Sequence, residues 1–211
     1  MSERIVYLYV QDTLADWEPG FALAELYTGR FFRRGAPRLV VRTCAATREP
    51  VVTMGGLRIV PDLTLAEVAA QNAALLILPG GDTWLEPRHA HVLDKTREFL
   101  AAGVPVAGIC GATLALAQAG LLDDCAHTSN DLDFLKQCCP AYKGERLYQA
   151  VPAVTGGNLI TASGMAPLEF AAEIFKCLDV FTADVLTAWC DLHRFKEARY
   201  FAQLMQAVAA G

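Results

Sequence analysis

The sequence predicts an α/β fold built on a doubly wound, mostly parallel sheet with helices on both faces. Short apolar runs alternate along the chain with longer segments whose apolar residues recur at helical spacing. The apolar runs show no regular alternation with polar residues, which is typical of strands covered on both faces. Of the 211 residues, 54% are hydrophobic and 19% are charged, which is enough for one well-buried core. We therefore expect a single domain over residues 1–211.

The predicted strands are short and rich in β-branched and aromatic residues. The first covers residues 5–10, which read IVYLYV. Further single strands are predicted at residues 39–44, 74–78 and 104–107. Two hairpins are predicted where a Gly-Gly pair separates two such runs, at residues 51–60 and 151–163.

Helices are predicted wherever apolar residues keep a helical period. Pro19 suits the first turn of such a helix, and the acidic Glu18 before it complements the helix dipole. Alternating with the strands, the helices complete a flavodoxin-like sandwich. Their predicted ranges are 20–34, 63–70, 91–102, 113–119, 132–138, 167–178, 183–192 and 196–209.

The charge pattern argues against nucleic-acid and membrane partners. The formal net charge is −5, and no run of basic residues is longer than Arg33-Arg34. Residues 99–122 carry no charge and are long enough to span a bilayer. Glycines and a proline interrupt this stretch, and its composition changes from strand-like to helix-like midway. We interpret it as a buried strand followed by a buried helix.

The cysteines and histidines indicate neither disulfides nor a metal site. The seven cysteines follow no regular spacing, and no signal peptide opens the chain, so we expect a reducing, cytoplasmic location. Cys138 and Cys139 are adjacent, which fits neither zinc nor redox C-x-x-C spacing. His89 and His91 lack further candidate ligands, and we interpret them as surface residues. No metal or cofactor is expected.

One stretch has the layout of a nucleophile elbow, with a cysteine at the turn. Residues 104–107 are strand-like, residues 108–112 are small residues around Cys110, and residues 113–119 are helix-forming. The helix N-terminus supplies free N–H groups and a partial positive charge, which favour a thiolate. A free cysteine is more often a buried small hydrophobe, and Ala112 replaces the last glycine of the elbow pattern.

Ligand sites in doubly wound sheets lie at the carboxyl ends of the strands. Three predicted strands end in informative residues: the first leads to Glu18, the strand at 74–78 to Gly80-Gly81, and the strand at 104–107 to Cys110. We expect these segments to lie close together.

Taken together, these segments resemble the DJ-1/PfpI (ThiJ) superfamily, whose members are relatives of class I glutamine amidotransferase domains. The resemblance covers nearly the whole chain, with its pieces in the order of the family. These pieces are Asp16-Trp17-Glu18, Leu78-Pro79-Gly80-Gly81, Ala107-Gly108-Ile109-Cys110-Gly111-Ala112, Ala126-His127-Thr128-Ser129-Asn130, and Leu159-Ile160-Thr161-Ala162-Ser163-Gly164 followed by Glu169-Phe170-Ala171.

The resemblance implies a set of site residues. Cys110 would be the reactive cysteine, and Glu18 its acidic hydrogen-bonding partner. The backbone N–H groups of Gly81 and Gly111 would form an oxyanion hole, and His127 aligns with a histidine that many members place near the cysteine. From the residues alone, Glu18 is equally an acid at a helix start, and His127 begins a turn with capping residues.

Two family patterns are missing from the sequence. PfpI-type proteases carry a histidine directly after the nucleophile, where this chain has Gly111. Glutamine amidotransferases use a late His-x-Glu pair, whereas His193 is followed by Arg194-Phe195. The base is therefore expected to be Glu18 or His127.

The leading hypothesis is a cysteine-dependent hydrolase or lyase that acts on a small electrophile of the 2-oxoaldehyde, amide or isocyanide class. The alternative is a redox-sensing stress protein whose Cys110 is oxidised to a sulfinate without turnover; a non-catalytic scaffold is a third. The expected partners are a small-molecule substrate and, from the resemblance, further copies in a homodimer or larger homo-oligomer. Aromatic residues suggested as a pocket lining are Trp17, Trp84 and Tyr142, and those suggested for an interface or for the core are Trp189, Phe195, Tyr200 and Phe201.

Overall fold

The computed structural model describes residues 3–211, and its centre is a sheet of seven strands. The order across this sheet is β5-β2-β1-β6-β7-β9-β8, and all neighbours are parallel except the antiparallel pair at the β8 edge. The short strands β3 and β4 form a separate antiparallel hairpin. The strands are β1 (Arg4–Tyr9), β2 (Leu39–Ala45), β3 (Val51–Val52), β4 (Arg58–Ile59), β5 (Leu63–Thr64), β6 (Ala73–Leu78), β7 (Val106–Ile109), β8 (Ala153–Gly156) and β9 (Leu159–Ala162).

Helices cover both faces of this sheet, as predicted. Val6 and Leu8 of β1 are buried on one face against helices α1, α5 and α6, while Tyr7 and Tyr9 are buried on the other face against α2 and α3. The alternation follows from the two-residue period of a strand. The helices are α1 (Gly20–Thr28), α2 (Ala90–Ala101), α3 (Gly111–Gln118), α4 (Leu132–Cys138), α5 (Pro167–Cys177), α6 (Ala183–Phe195) and α7 (Ala198–Ala210).

The first helix ends earlier than its apolar spacing predicts. α1 stops at Thr28 because Gly29 adopts a left-handed conformation with φ of 60°. Its N–H donates to the carbonyl of Glu25 and closes the last turn. Phe31, which the spacing assigned to the helix, instead packs in the core from the following loop.

The prediction of a helix over residues 63–70 is wrong. Leu63–Thr64 pairs with the end of β2 as an edge strand, and only Leu65–Glu67 forms a single 3₁₀ turn. The Thr64 side chain and the Glu67 carboxylate cap this turn reciprocally. Pairing with the edge of the sheet therefore prevails over the local helical pattern.

The remaining elements lie within a few residues of their predicted ranges. Trp189 is fully buried in the core, whereas Phe195 and Phe201 are half exposed. Across residues 3–211 we find no helix that combines the length and the hydropathy needed to cross a membrane, and the charge-free stretch 99–122 holds β7 and α3.

Candidate active site

The carboxyl ends of β1, β6 and β7 meet at one edge of the sheet, because these strands are neighbours. They bring together Glu18, Gly80 and Cys110. A Cβ atom on Gly80 would lie 2.6 Å from Glu18 Oε2 and 2.8 Å from the Cβ of Cys110. Only a glycine leaves room for the carboxyl group and the thiol at this position.

Cys110 sits at the junction between β7 and α3 in an unusual backbone conformation. Its φ is 57° and its ψ is −124°, a region that residues with a side chain rarely adopt. The N–H of Cys110 donates to the carbonyl of Ala162 at 3.0 Å, and Thr113 Oγ1 donates to the carbonyl of Cys110 at 2.6 Å. The neighbouring strand β9 and the helix α3 thus hold the turn that presents the half-buried thiol.

The carboxyl group of Glu18 faces this thiol from the loop after β1. The residue is fully buried, and its Oε2 accepts the Gly80 N–H at 2.5 Å. Its Oε1 has no hydrogen-bond partner within residues 3–211. A Cβ atom on Gly164 would lie 2.7 Å from Cys110 Sγ and 3.1 Å from Glu18 Oε1, so the two atoms border one small space.

The pKa values of Glu18 and Cys110 are both raised. Burial raises the pKa of Glu18, although the Gly80 N–H and the Cys110 thiol partly offset it. Burial also raises the pKa of Cys110, and the negative charge of Glu18 raises it further. This direction is opposite to the expectation that the helix N-terminus yields a resting thiolate. Since two adjacent buried anions repel, loss of a proton from one group disfavours its loss from the other.

Asn130 is a partner of the thiol that the sequence did not identify. Its Nδ2 donates to Cys110 Sγ at 3.3 Å and lowers the pKa of the thiol. Its Oδ1 accepts the N–H of Gly164 at 2.8 Å, which fixes the orientation of the amide. The only signal in the sequence is its position in the Thr-Ser-Asn run after His127, where capping was an equally good explanation.

His127 does not contact the thiol in this structure. Its Nδ1 bonds the carbonyl of Cys125 at 2.8 Å, and its Nε2 bonds the hydroxyl of Tyr142 at 2.6 Å. The ring is fully buried, and burial lowers the pKa of the imidazole. Both ring nitrogens are therefore engaged away from the thiol, and Glu18 is the acidic side chain that lies beside Cys110; its role as the base stays a prediction.

Gly81 and Gly111 lie side by side next to Cys110. A Cβ atom on Gly111 would lie 2.6 Å from the carbonyl oxygen of Gly81 and 3.4 Å from its nitrogen. Gly111 is also the first residue of α3, where backbone N–H groups have no partner within the helix. The pair is therefore suitably placed for the predicted oxyanion hole, which stays a prediction.

A buried chain of side-chain hydrogen bonds ends beside the Gly80-Gly81 turn. Tyr9 OH bonds His89 Nδ1 at 2.9 Å, His89 Nε2 bonds Thr83 Oγ1 at 3.0 Å, and Thr83 Oγ1 donates to Gln11 Oε1 at 3.2 Å. The amide of Gln11 packs directly against Gly81. The interpretation of His89 as a surface residue is wrong: the side chain is 1% exposed, whereas His91 is exposed.

A cavity of about 720 Å³ lies between segments 128–132, 148–152 and 163–169, and its lining includes Asn130, the hydrogen-bond partner of the thiol. Of the aromatic residues expected to line a pocket, none borders this one, and Tyr148 does so instead. Trp84 is buried with its indole N–H on the Pro79 carbonyl, Tyr142 bonds His127, and Trp17 donates to the carbonyl of Gly164. Within the described part of the chain, we find no group of His, Cys, Asp and Glu side chains that could hold a metal ion.

Comparison with known proteins gives consistent results over this region. The DJ-1/PfpI family model matches residues 4–177. The chain is 48% identical over 208 residues to the "Uncharacterized protease YoaZ" of Bacillus subtilis, covering 99% of each chain. It is 30% identical over 187 residues to the "Uncharacterized protease YdeA" of the same species, covering 88% of this chain and 89% of that one.

Solved structures share the fold across the same residues. A thiJ/pfpI family protein from Bacillus anthracis has a TM-score of 0.93 and 48% identity, with 98% of each chain covered. The DJ-1 superfamily protein Atu0886 from Agrobacterium tumefaciens has a TM-score of 0.79 and 31% identity, covering 92% of this chain and all of that one (100%).

Proposed function

Since the chain belongs to the DJ-1/PfpI family, we propose that it is a cysteine-dependent hydrolase or lyase that acts on a small electrophile such as a 2-oxoaldehyde, an amide or an isocyanide. One observation carries the proposal. The half-buried thiol of Cys110 and the unpartnered Oε1 of Glu18 border the same small space, beside the paired glycines 81 and 111. A nucleophile, a proton acceptor and candidate oxyanion donors thus surround one point.

In the first step, Cys110 Sγ forms a bond to the electrophilic carbon of the substrate. The S–H proton passes to Glu18 Oε1, and with a carbonyl substrate the electrons of the C=O bond move onto the oxygen. With an isocyanide the negative charge forms on the attacked carbon, which takes the proton back from Glu18. The N–H groups of Gly81 and Gly111 are placed to bind the resulting negative charge. Because the pKa values of both groups are raised, Glu18 acts as the base first and as the proton donor afterwards.

The fate of the adduct depends on the substrate. With an amide, the C–N bond breaks, Glu18 returns its proton to the departing amine, and water hydrolyses the thioester. With a 2-oxoaldehyde no group leaves, because the adduct is a hemithioacetal. Glu18 then moves a proton from one carbon to the next, and hydrolysis releases a 2-hydroxy acid and the free thiol.

The arrangement favours small substrates over peptides. The relatives YoaZ and YdeA are named as proteases, but in this chain Gly111 follows the cysteine and His127 is bound to Cys125 and Tyr142. Neither position supplies the imidazole of a PfpI-type protease, so Glu18 is the group left to protonate a leaving amine. A carboxyl group with a raised pKa is a sufficient acid for an activated carbonyl compound.

Turnover of methylglyoxal, simple amides and an aryl isocyanide by purified protein tests the proposal. Cys110→Ala is expected to lose the activity that the wild-type protein shows, by about a hundredfold or more. Cys125→Ala is the matched control, since Cys125 is equally half-buried and lies outside the site. Equal rates for the wild-type protein and Cys110→Ala would overturn the proposal.

A second candidate function is redox sensing through Cys110. Asn130 Nδ2 already donates to the sulfur, and the Gly111 N–H and a protonated Glu18 could bond the oxygens of a sulfinate. Each oxidation step transfers one oxygen atom from peroxide to the sulfur and releases water. Mass spectrometry after mild peroxide treatment distinguishes the cases, with the six other cysteines as internal references. If those cysteines gain oxygen while Cys110 does not, this function fails.

A further inference from the structure

We propose that the cavity beside Asn130 is the subsite for the uncharged, apolar group that a substrate carries next to its electrophilic carbon. This inference rests on the proposed function, because it assigns the other end of the molecule that Cys110 attacks. At about 720 Å³ the cavity is of the size that holds a small organic ligand. It could take an aryl or branched alkyl group much larger than the methyl of methylglyoxal.

The cavity is joined to the thiol through two of its own lining residues. Asn130 borders it and donates from Nδ2 to Cys110 Sγ at 3.3 Å. Ser163 also borders it and donates to Asn130 Oδ1 at 3.4 Å. The amide of Asn130 thus contacts both the cavity and the sulfur, and we take this shared side chain as the point at which a substrate passes from one to the other.

The lining of the cavity is mainly apolar. Leu132, Val151, Pro152 and Met165 contribute to it, together with the ring of Tyr148. Val151 and Met165 are 41% and 88% exposed, which leaves apolar surface for a ligand to cover. Removing such surface from water is the main source of affinity for a neutral organic group.

The charges around the cavity disfavour anions. Its only charged lining residues are acidic, Asp131 and Glu169. Asp131 caps α4 by accepting the Phe134 N–H, and Glu169 pairs with Arg194, which lies outside the cavity. The N-terminal ends of α4 and α5 are thereby already balanced by carboxylates, so neither offers free positive charge to a substrate. A substrate with a carboxylate in this group should bind poorly.

The test uses three alkylating probes with the same reactive end: chloroacetamide, N-benzyl-chloroacetamide and its para-carboxylate derivative. Mass spectrometry of the Cys110 peptide gives each rate, corrected for the rate with free glutathione. We expect the benzyl probe to react about tenfold faster than chloroacetamide after correction, and the carboxylate to remove this advantage. Ala150→Trp, which fills the cavity from an exposed lining position, should also remove it. Ala141→Trp, at an exposed position outside the cavity, should keep it.

Binding of unreactive N-benzylacetamide, measured by ligand-observed NMR, separates this inference from the proposed function. Saturable binding that Ala150→Trp abolishes supports the subsite even if Cys110 proves unreactive, in which case only the proposed function fails. Equal corrected rates for all three probes, with no saturable binding, overturn the subsite. If Ala150→Trp instead converts a homodimer to monomers, and N-benzylacetamide does not bind, the cavity belongs to a subunit interface and the subsite is likewise overturned.

Discussion

At the residue scale, the proposed chemistry depends on a proton shared by the half-buried Cys110 and the buried Glu18, which come from distant parts of the chain. Cys110 could be identified from the elbow pattern, and Glu18 from the resemblance to a family. The role of Asn130 could not, because it depends on how the loop after β9 packs, more than thirty positions along the chain. The contacts of His127 could not be predicted for the same reason, because its two ring nitrogens bond the Cys125 carbonyl and the Tyr142 hydroxyl.

Replacing Asn130 should raise the pKa of the thiol. Asn130→Asp keeps an acceptor for the Gly164 N–H but removes the donor to Cys110 Sγ and adds a negative charge beside it. Alkylation of Cys110 at neutral pH should slow by about tenfold or more, equivalent to one unit of pKa. Asn158→Asp makes the same chemical change at an exposed turn and should have no effect on the rate. An unchanged rate in Asn130→Asp would show that the hydrogen bond does not tune the thiol.

Replacing His127 should affect stability and leave the thiol unchanged. His127→Ala leaves the Tyr142 hydroxyl without its partner and opens a buried space, so the free energy of unfolding should fall by about 1–3 kcal/mol. Urea denaturation measures this loss, and the pH profile of Cys110 alkylation in the folded variant should match that of the wild-type protein. A shifted profile would restore His127 to the site.

At the element scale, the site exists because three neighbouring parallel strands end at the same edge of the sheet. The sequence predicted that the segments after these strands lie close together, because sites in doubly wound sheets form at the carboxyl ends of the strands. The sequence was less informative where a single contact decides an element. The end of α1 depends on the left-handed Gly29, and β5 exists because it pairs with β2.

The close approach of elements at Gly80 should tolerate no side chain. Gly80→Ala would place a Cβ 2.6 Å from Glu18 Oε2, so the carboxyl group or the thiol must move. We expect a loss of about 1–3 kcal/mol of stability and at least about a tenfold loss of Cys110 alkylation. Gly20→Ala is the control, because nothing lies within 4 Å of its Cβ and alanine favours the start of α1. Equal behaviour of the two variants would contradict the packing described here.

At the scale of the whole molecule, the buried titratable groups couple stability to pH. Burial lowers the pKa of His89 and His127, so below about pH 6.5 the unfolded chain binds protons that the folded chain does not. Their effect is a free energy of unfolding that decreases as the pH falls. Glu18 acts in the opposite direction: burial raises its pKa, so its contribution is present below about pH 4.5 and is lost as the pH rises through its folded-state pKa.

Variants separate these contributions. Urea denaturation of His89→Gln at about pH 7.5 and about pH 5.5 should show a smaller loss of stability on acidification than the wild-type protein shows. His91→Gln, at an exposed position of α2, should keep the wild-type difference. The same pH dependence in His89→Gln and wild-type protein would mean that the buried Tyr9–His89–Thr83 chain takes up a proton without cost.

If Glu18 and Cys110 share one proton, the rate of Cys110 alkylation from about pH 5 to about pH 10 shows it most directly. The wild-type rate should rise in two steps. The first occurs when the doubly protonated pair loses one proton, and the second when it loses the other. Glu18→Gln keeps the size of the side chain and an acceptor for the Gly80 N–H but cannot take a proton. Its rate should rise in a single step and be faster than that of the wild-type protein at neutral pH, because the negative charge that raises the pKa of the Cys110 thiol is gone. Superimposable profiles for the two proteins would show that Glu18 and Cys110 do not share a proton.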